Sequence, residues 1–290
     1  MAHILGIGNA TLDIIHSVDA YPHENAEIRC SERVSRRGGN AANLLVVLAQ
    51  FGHACSFAGV LADDSDGRLV SADLVGNNVD ITPCRTCGSG GTPVSSVLLS
   101  AATGSRTIVH YRDLPEFSCQ DFAALDLQPF DWLHFEGRNI MVLQDMLRRA
   151  REQFPATPRS LEVEKPRDGI EDLFGLADVL LFSRDYARQC SYRQPERLLQ
   201  EIHAEYPAVA AYCTRGEDGA VAIDHQGRIV RHPAVAPGQV IDTLGAGDTF
   251  NAAIINGSLA GLDTAAILEQ ACMLAGRKCT QAGFARLVQP

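Results

Sequence analysis

The chain has 290 residues, enough to bury a full core, with 46% hydrophobic and 21% charged side chains, ordinary values for a globular protein. A formal net charge of −10 and the absence of any Lys/Arg block argue against nucleic-acid or anionic-membrane partners. An anionic ligand must therefore be held locally, in a pocket, by backbone dipoles and a few cations.

The first apolar run, in MAHILGIGNATLDII, has no basic region before it and no small-residue cleavage site after it. It predicts a strand over Ile4–Gly8 rather than a targeting segment. No apolar run approaches the ~18 residues of a membrane span. Nine scattered cysteines, an odd number, suit a reducing compartment, and a cytoplasmic setting is expected. Gly6-Ile-Gly8 with Glu27 beyond it mimics a dinucleotide fingerprint, but the third glycine is missing and extended sequence follows where a helix is needed.

Asp13–Arg37 carries no helical pattern. Arg36-Arg37-Gly38-Gly39-Asn40-Ala41-Ala42-Asn43 then leads into an apolar helix over Asn40–Phe51. Asn40 can cap the free N–H groups of that helix, and Asn43 lies one turn on, on the same side. With Asp13 the two amides make donors and acceptors fitted to a polyol. A strand over Cys55–Val60 and a helix over Gly67–Val75 follow. Cys84 and Cys87 form a local pair, but with no second pair or spaced histidines they are incidental thiols. Thr92–Tyr111 alternates as strands do, with Thr103-Gly104-Ser105 as its turn. Short apolar runs at Trp132–Phe135, Ser160–Val163, Val179–Phe182 and Val209–Cys213 alternate with helices such as Ile140–Glu152. The pattern predicts an α/β body with a parallel-rich central sheet covered on both faces. A small β-sheet, formed by about 11–37 and 91–113, projects from this single domain of residues 1–290.

The most informative segment is Val240-Ile-Asp-Thr-Leu-Gly-Ala-Gly-Asp-Thr-Phe250, followed by a helical stretch over Asn251–Ala260. Gly245, Ala246 and Gly247 let the backbone approach a ligand, and their N–H groups at a helix start form an anion site. Asp248 in the first turn is either a dipole-satisfying cap or a base that takes a proton from an attacking hydroxyl. There is no Walker GxxxxGK[S/T] anywhere in the chain.

The early Gly38-Gly39-Asn40 before a helix and the late Asp242-Thr-Leu-Gly-Ala-Gly-Asp248 resemble the two signatures of the ribokinase (PfkB) family of carbohydrate kinases. The stretches Ser17–Pro22, Glu27–Cys30, Arg106–Val109, His134–Asn139, Glu162–Arg167 and Ala275–Cys279 are similar to its ketohexokinase (fructokinase) branch. The resemblance implies a ribokinase-like three-layer fold, a β-lid over the sugar, and a homodimer interlocked through that lid. It implies Asp248 as general base, Gly245, Ala246 and Gly247 as the anion hole, and Arg106 as a cationic clamp on the phosphates. Sugar-binding positions would be Asp13, Gly39, Asn40 and Asn43, with Asn25 and Glu27 on the lid and Cys279 nearby. ATP would be met by Arg106, Glu136, Gly216, Glu217, Gly219, Gly245, Gly247 and Lys278.

Two departures from the family pattern stand out. Where many members carry Asn-x-x-Glu to organise Mg²⁺ and phosphate, this chain reads Ser183-Arg-Asp-Tyr186, which leaves Asp185 and Glu164 as candidates for water-mediated contacts. Asp63-Asp-Ser-Asp-Gly67 looks more like bacterial sugar kinases. The expected reaction is ATP-dependent phosphorylation of a ketohexose, with fructose giving fructose 1-phosphate. The alternatives are another sugar or a nucleoside as acceptor, or a non-catalytic sensor on the same fold.

Overall fold

The strand His3–Ile7 is buried on both faces, as a central strand of a covered parallel sheet must be. The computed structural model describes residues 1–103, 105–235 and 238–288. Nine strands form one sheet, in the spatial order Ile229–His232, Ala220–Ile223, Ala210–Thr214, Val179–Phe182, Arg159–Val163, Trp132–Glu136, His3–Ile7, Ala54–Ala58 and Val79–Asp80. All neighbours from Ala210–Thr214 to Val79–Asp80 pair in parallel, and the first two strands add an antiparallel hairpin at the edge. This is the expected ribokinase-like α/β architecture.

Alternation along each strand feeds two apolar cores, one per face. Leu161, Leu180 and Phe182 pack with the helices Ile140–Gln153 and Pro195–Glu205. Ile4, Val179 and Leu181 pack with Asn40–Gln50, Ala246–Leu259 and Thr264–Cys279 on the other face. No helix among the described residues is long and apolar enough to cross a membrane. All nine cysteines are free, and Cys84 spends its thiol on the Phe57 carbonyl at 3.1 Å.

Several expected boundaries move for local reasons. The strand over Cys55–Val60 breaks at Gly59, where a side chain would strike the Gly8 carbonyl. Its continuation, Val60–Ala62, leaves the main sheet and pairs with Arg85–Cys87. The helix at Gly67–Val75 starts earlier, at Ser65, because Asp64 caps it by accepting from the Gly67 N–H at 2.6 Å. The helix Pro195–Glu205 and the edge hairpin were not among the expected elements.

The two helix-free segments do form a small separate sheet, in the order Glu32–Gly38, Thr11–Val18, Val94–Ser100 and Arg106–Tyr111. Its middle pair is parallel and its outer pairs are antiparallel. In the turn before its last strand the Thr103 and Ser105 hydroxyls meet at 2.7 Å, while Gly104 lies outside the described residues.

Leu45, fully buried on the Asn40–Gln50 helix, lies against Gly6, where a Cβ would meet its side chain. Leu45→Ala leaves a cavity at the contact on which helix and central strand rest. It is expected to lower unfolding free energy by about 2–5 kcal/mol, read from the urea midpoint.

Candidate active site

The strand order reverses at His3–Ile7, which has Trp132–Glu136 on one side and Ala54–Ala58 on the other. In open α/β sheets ligands bind beyond the carboxyl ends of the strands at such a point. A cleft of about 480 Å³ opens there, floored by Asn9, Glu136, Glu162 and Thr214 and walled by Asp13, Ser95, Arg106 and His110 of the small sheet. A second hollow, about 570 Å³, lies near the amino ends of the strands beside Trp132 and Val179 and contains none of the predicted site residues.

The helix Ala246–Leu259 points its first turn into the cleft. Gly245 precedes it with φ 84°, and a Cβ there would run into the Phe284 ring, so two constraints demand glycine. Gly247 has open space where its Cβ would be, leaving its backbone accessible. Ala246 differs from expectation: its N–H donates to the Thr243 carbonyl at 3.2 Å, and it does not line the cleft. Of the three, Gly245 and Gly247 line the cleft, where the free N–H groups of a helix start can receive an anion.

Asp248 is not a helix cap, and no side-chain cap closes this helix. Its Oδ2 accepts from Asn43 Nδ2 at 2.6 Å. Asn43 Oδ1 in turn accepts from Arg37 Nη1, and Arg37 Nε donates to Asp73 at 2.5 Å. Arg37, Asn43 and Asp248 are all buried, at 5%, 6% and 7% exposure. Burial pushes the Asp248 carboxyl up to about 7, with the Glu164 and Glu136 charges adding to it and the Asn43 bond and Arg37 opposing. Asn43 thus lines the cleft with one N–H and one lone pair of its amide already engaged.

Asn40 is also not a cap. Gly39 takes the cap position with φ 99°, where a Cβ would strike the Asn9 carbonyl, and Asn40 is the first helical residue. Its Nδ2 donates to Glu164 at 3.4 Å across the cleft. Asp13 is buried, accepts from the Thr11 hydroxyl at 2.9 Å, and faces the cleft. Arg106 bridges small sheet and glycine loop by donating to the Thr243 hydroxyl at 2.8 Å. Glu136 accepts from the Asn9 N–H at 3.0 Å, and burial raises its carboxyl above the usual range.

Other predicted residues lie elsewhere. Lys278 is fully buried and off the cleft, donating to the Asp242 carbonyl at 3.1 Å and its carboxylate at 3.2 Å. It braces the loop before the glycines. Cys279 does the same through its carbonyl, which accepts from the Ile241 N–H at 2.8 Å and the Asp242 N–H at 3.2 Å. Gly216, Glu217 and Gly219 form a short turn whose glycines have φ 66° and 88°, and of this stretch Thr214 lines the cleft. A Cβ on Gly219 would strike the His232 carbonyl, so turn geometry accounts for that glycine. Asn25 and Glu27 are exposed on the connection between Thr11–Val18 and Glu32–Gly38, away from this chain's own cleft.

Residues not singled out from the sequence include Arg37, Ser95, His110, Glu162 and Asn251. Asn251 follows Asp248 by three positions, the same helix face, which was a usable signal. It donates to Glu162 Oε1 at 3.1 Å, while the buried Oε2 has no partner among the described residues. Burial, with the Asp248 charge next, raises Glu162 well above the carboxylate range.

At the Asn-x-x-Glu position, Ser183 caps the helix Arg184–Gln189 and Tyr186 is buried against Phe174 and Phe182. No group of three or more His, Cys, Asp or Glu among the described residues is arranged to hold a metal ion. Glu164 and Asp185 do line the cleft. Carboxylates of this kind could hold a magnesium ion that keeps most of its waters.

A buried carboxylate at a glycine-led helix start, with an arginine lining the same cleft, is an arrangement suited to phosphoryl transfer. The pfkB family carbohydrate kinase profile matches residues 1–289, and the chain belongs to that family. It is 36% identical to mouse ketohexokinase over 293 aligned residues, covering 98% of both proteins. It is 26% identical to aminoimidazole riboside kinase of Salmonella typhimurium, over 84% of this chain and 77% of that one. The fold matches ribokinase of Giardia lamblia with a TM-score of 0.83 at 17% identity, covering 100% of this chain and 96% of that one.

Because the Asn43 bond favours the ionised carboxylate, its removal must raise the Asp248 pKa further. Asn43→Ala is expected to move the Asp248 titration upward from about 7, read by carboxyl carbon NMR with Asp248→Asn assigning the resonance.

Proposed function

We propose that this carbohydrate kinase transfers the γ-phosphoryl group of ATP to a ketohexose, converting fructose to fructose 1-phosphate. The observation that carries the reading is the Asp248–Asn43 pair at the mouth of the glycine loop. A sugar hydroxyl is a poor nucleophile at neutral pH. Asp248 accepts its proton as the new bond to phosphorus forms, a contribution of roughly 10²–10⁴ in rate. A base poised near 7 is matched to that task.

The larger share comes from placement and charge. The backbone of Gly245 and Gly247 receives the transferring group, and Arg106 reaches the phosphates from the small sheet. Asp13, Gly39 and Asn40 hold sugar hydroxyls. Glu164 and Asp185 would hold Mg²⁺ through water, and the ion would supply charge neutralisation at the phosphates. The small sheet acts as a lid that excludes water and so suppresses idle ATP hydrolysis. The ketohexose assignment is supported by the 36% identity to mouse ketohexokinase, and the intact base and glycines weigh against a non-catalytic sensor.

The lid also suits a homodimer. Its outer face exposes Val109 and Tyr111, apolar area that a second copy would cover, bringing Asn25 and Glu27 toward the neighbouring cleft. Val109→Glu is expected to shift the protein from dimer to monomer in sedimentation velocity, and a wild-type monomer at micromolar concentration refutes the interface.

Asp248→Asn is expected to lower kcat by about 10²–10⁴ while sugar affinity changes little. The assay couples ADP release to a panel of ketoses, aldoses and nucleosides, and phosphorus NMR locates the phosphate on the product. Near-normal turnover in Asp248→Asn, or fructose inertness in wild type, sinks the base or the substrate assignment respectively.

A further inference from the structure

Strand register aligns Asp13, Ser95 and His110 in one row across three neighbouring strands of the small sheet. All three line the cleft. Alternation along Arg106–Tyr111 sends Arg106, Ile108 and His110 to the cleft and leaves Val109 and Tyr111 on the outer face. The row is built rather than incidental: Ser95 is buried, and its Oγ lies 3.2 Å from His110 Nδ1. That contact orients the ring and leaves Nε2, which has no protein partner among the described residues, as its available polar atom. Its surroundings favour the uncharged imidazole. Burial first, then the Arg138 and Arg112 cations with a smaller push from Lys165, hold its pKa below the usual value, against the opposing charge of Asp13. A neutral imidazole nitrogen pairs with a sugar hydroxyl, which can donate or accept. None of the steps above uses this group.

We propose that His110 is a specificity residue of the acceptor site, hydrogen-bonding through Nε2 a sugar hydroxyl other than the one phosphorylated. The inference rests on the sugar-kinase reading and deepens it. The acceptor is a polyol with a hydroxyl at the wall formed by the small sheet, and an analogue lacking that one hydroxyl leaves the imidazole unpaired.

The test is steady-state kinetics of wild type, His110→Leu and His110→Gln with D-fructose and its monodeoxy analogues. Wild-type turnover of fructose stands or falls on its own and decides the kinase reading first. With wild type, one monodeoxy analogue is expected to be poorer than fructose by about 10- to 50-fold in kcat/KM. His110→Leu raises KM for fructose by a similar factor, with kcat within about threefold, and no longer separates that analogue from fructose. His110→Gln, which keeps a donor and an acceptor, recovers part of the discrimination. Discrimination in His110→Leu equal to wild type overturns the proposal. An equal loss for fructose and every analogue, without recovery in His110→Gln, overturns it as well, since that is what general damage to the sheet produces. If another sugar of the panel is the substrate, the same series on that sugar and its monodeoxy analogues carries the same outcomes. A wild type that turns over no sugar overturns both readings together.

Discussion

The hydrogen bond from Asn43 to Asp248 joins the two glycine-led helices that meet at the cleft, and most of the site is arranged around it. A carboxylate buried in the first turn of a helix is an electrostatic conflict, because burial favours its neutral form and the helix dipole its ionised one. Asn43 and Arg37 moderate that conflict without abolishing it. Were Arg37 paired directly with Asp248, the carboxylate would be too weak a base. With an amide interposed, the cation orients Asn43 and lends only part of its charge. Arg37 is itself neutralised by Asp73, so the ionic chain ends on the half-exposed helix Ser65–Gly76.

The small sheet supplies what the main body lacks, a second wall with its own chemistry. Asp13, Ser95, Arg106 and His110 reach the cleft from strands whose opposite faces carry apolar residues. Arg106 touches Thr243 of the glycine loop and Arg36 pairs with Asp242 at 2.8 Å, so two arginines tie the wall to that loop.

How much of this was legible in the sequence depends on how local each feature is. The glycine loop with Asp248 was legible because anion binding at a helix start is short-range chemistry written in consecutive residues. The helix-free segments announced the small sheet because alternation is also local. The chain from Asp73 through Arg37 to Asn43 was not legible, since it joins residues on different elements whose side-chain directions only packing decides. Lys278 shows the same limit: a charge in the last turn of a helix could face ligand or protein, and here it faces Asp242. Gly216 and Gly219 could not be told apart from ligand-approach glycines, because a turn with positive φ and a close backbone approach demand the same residue.

Phe284 belongs to none of the elements that frame the cleft, yet its ring occupies the space beside Gly245 and lies under the Arg37 guanidinium and the Lys278 ammonium, 5.7 and 5.5 Å from its centroid. Every strand and every helix among the described residues precedes it in the chain. A segment that adds no strand or helix thus fastens both the glycine-led helix start and the arginine that orients Asn43, so the cleft leans on chain that lies beyond the last helix.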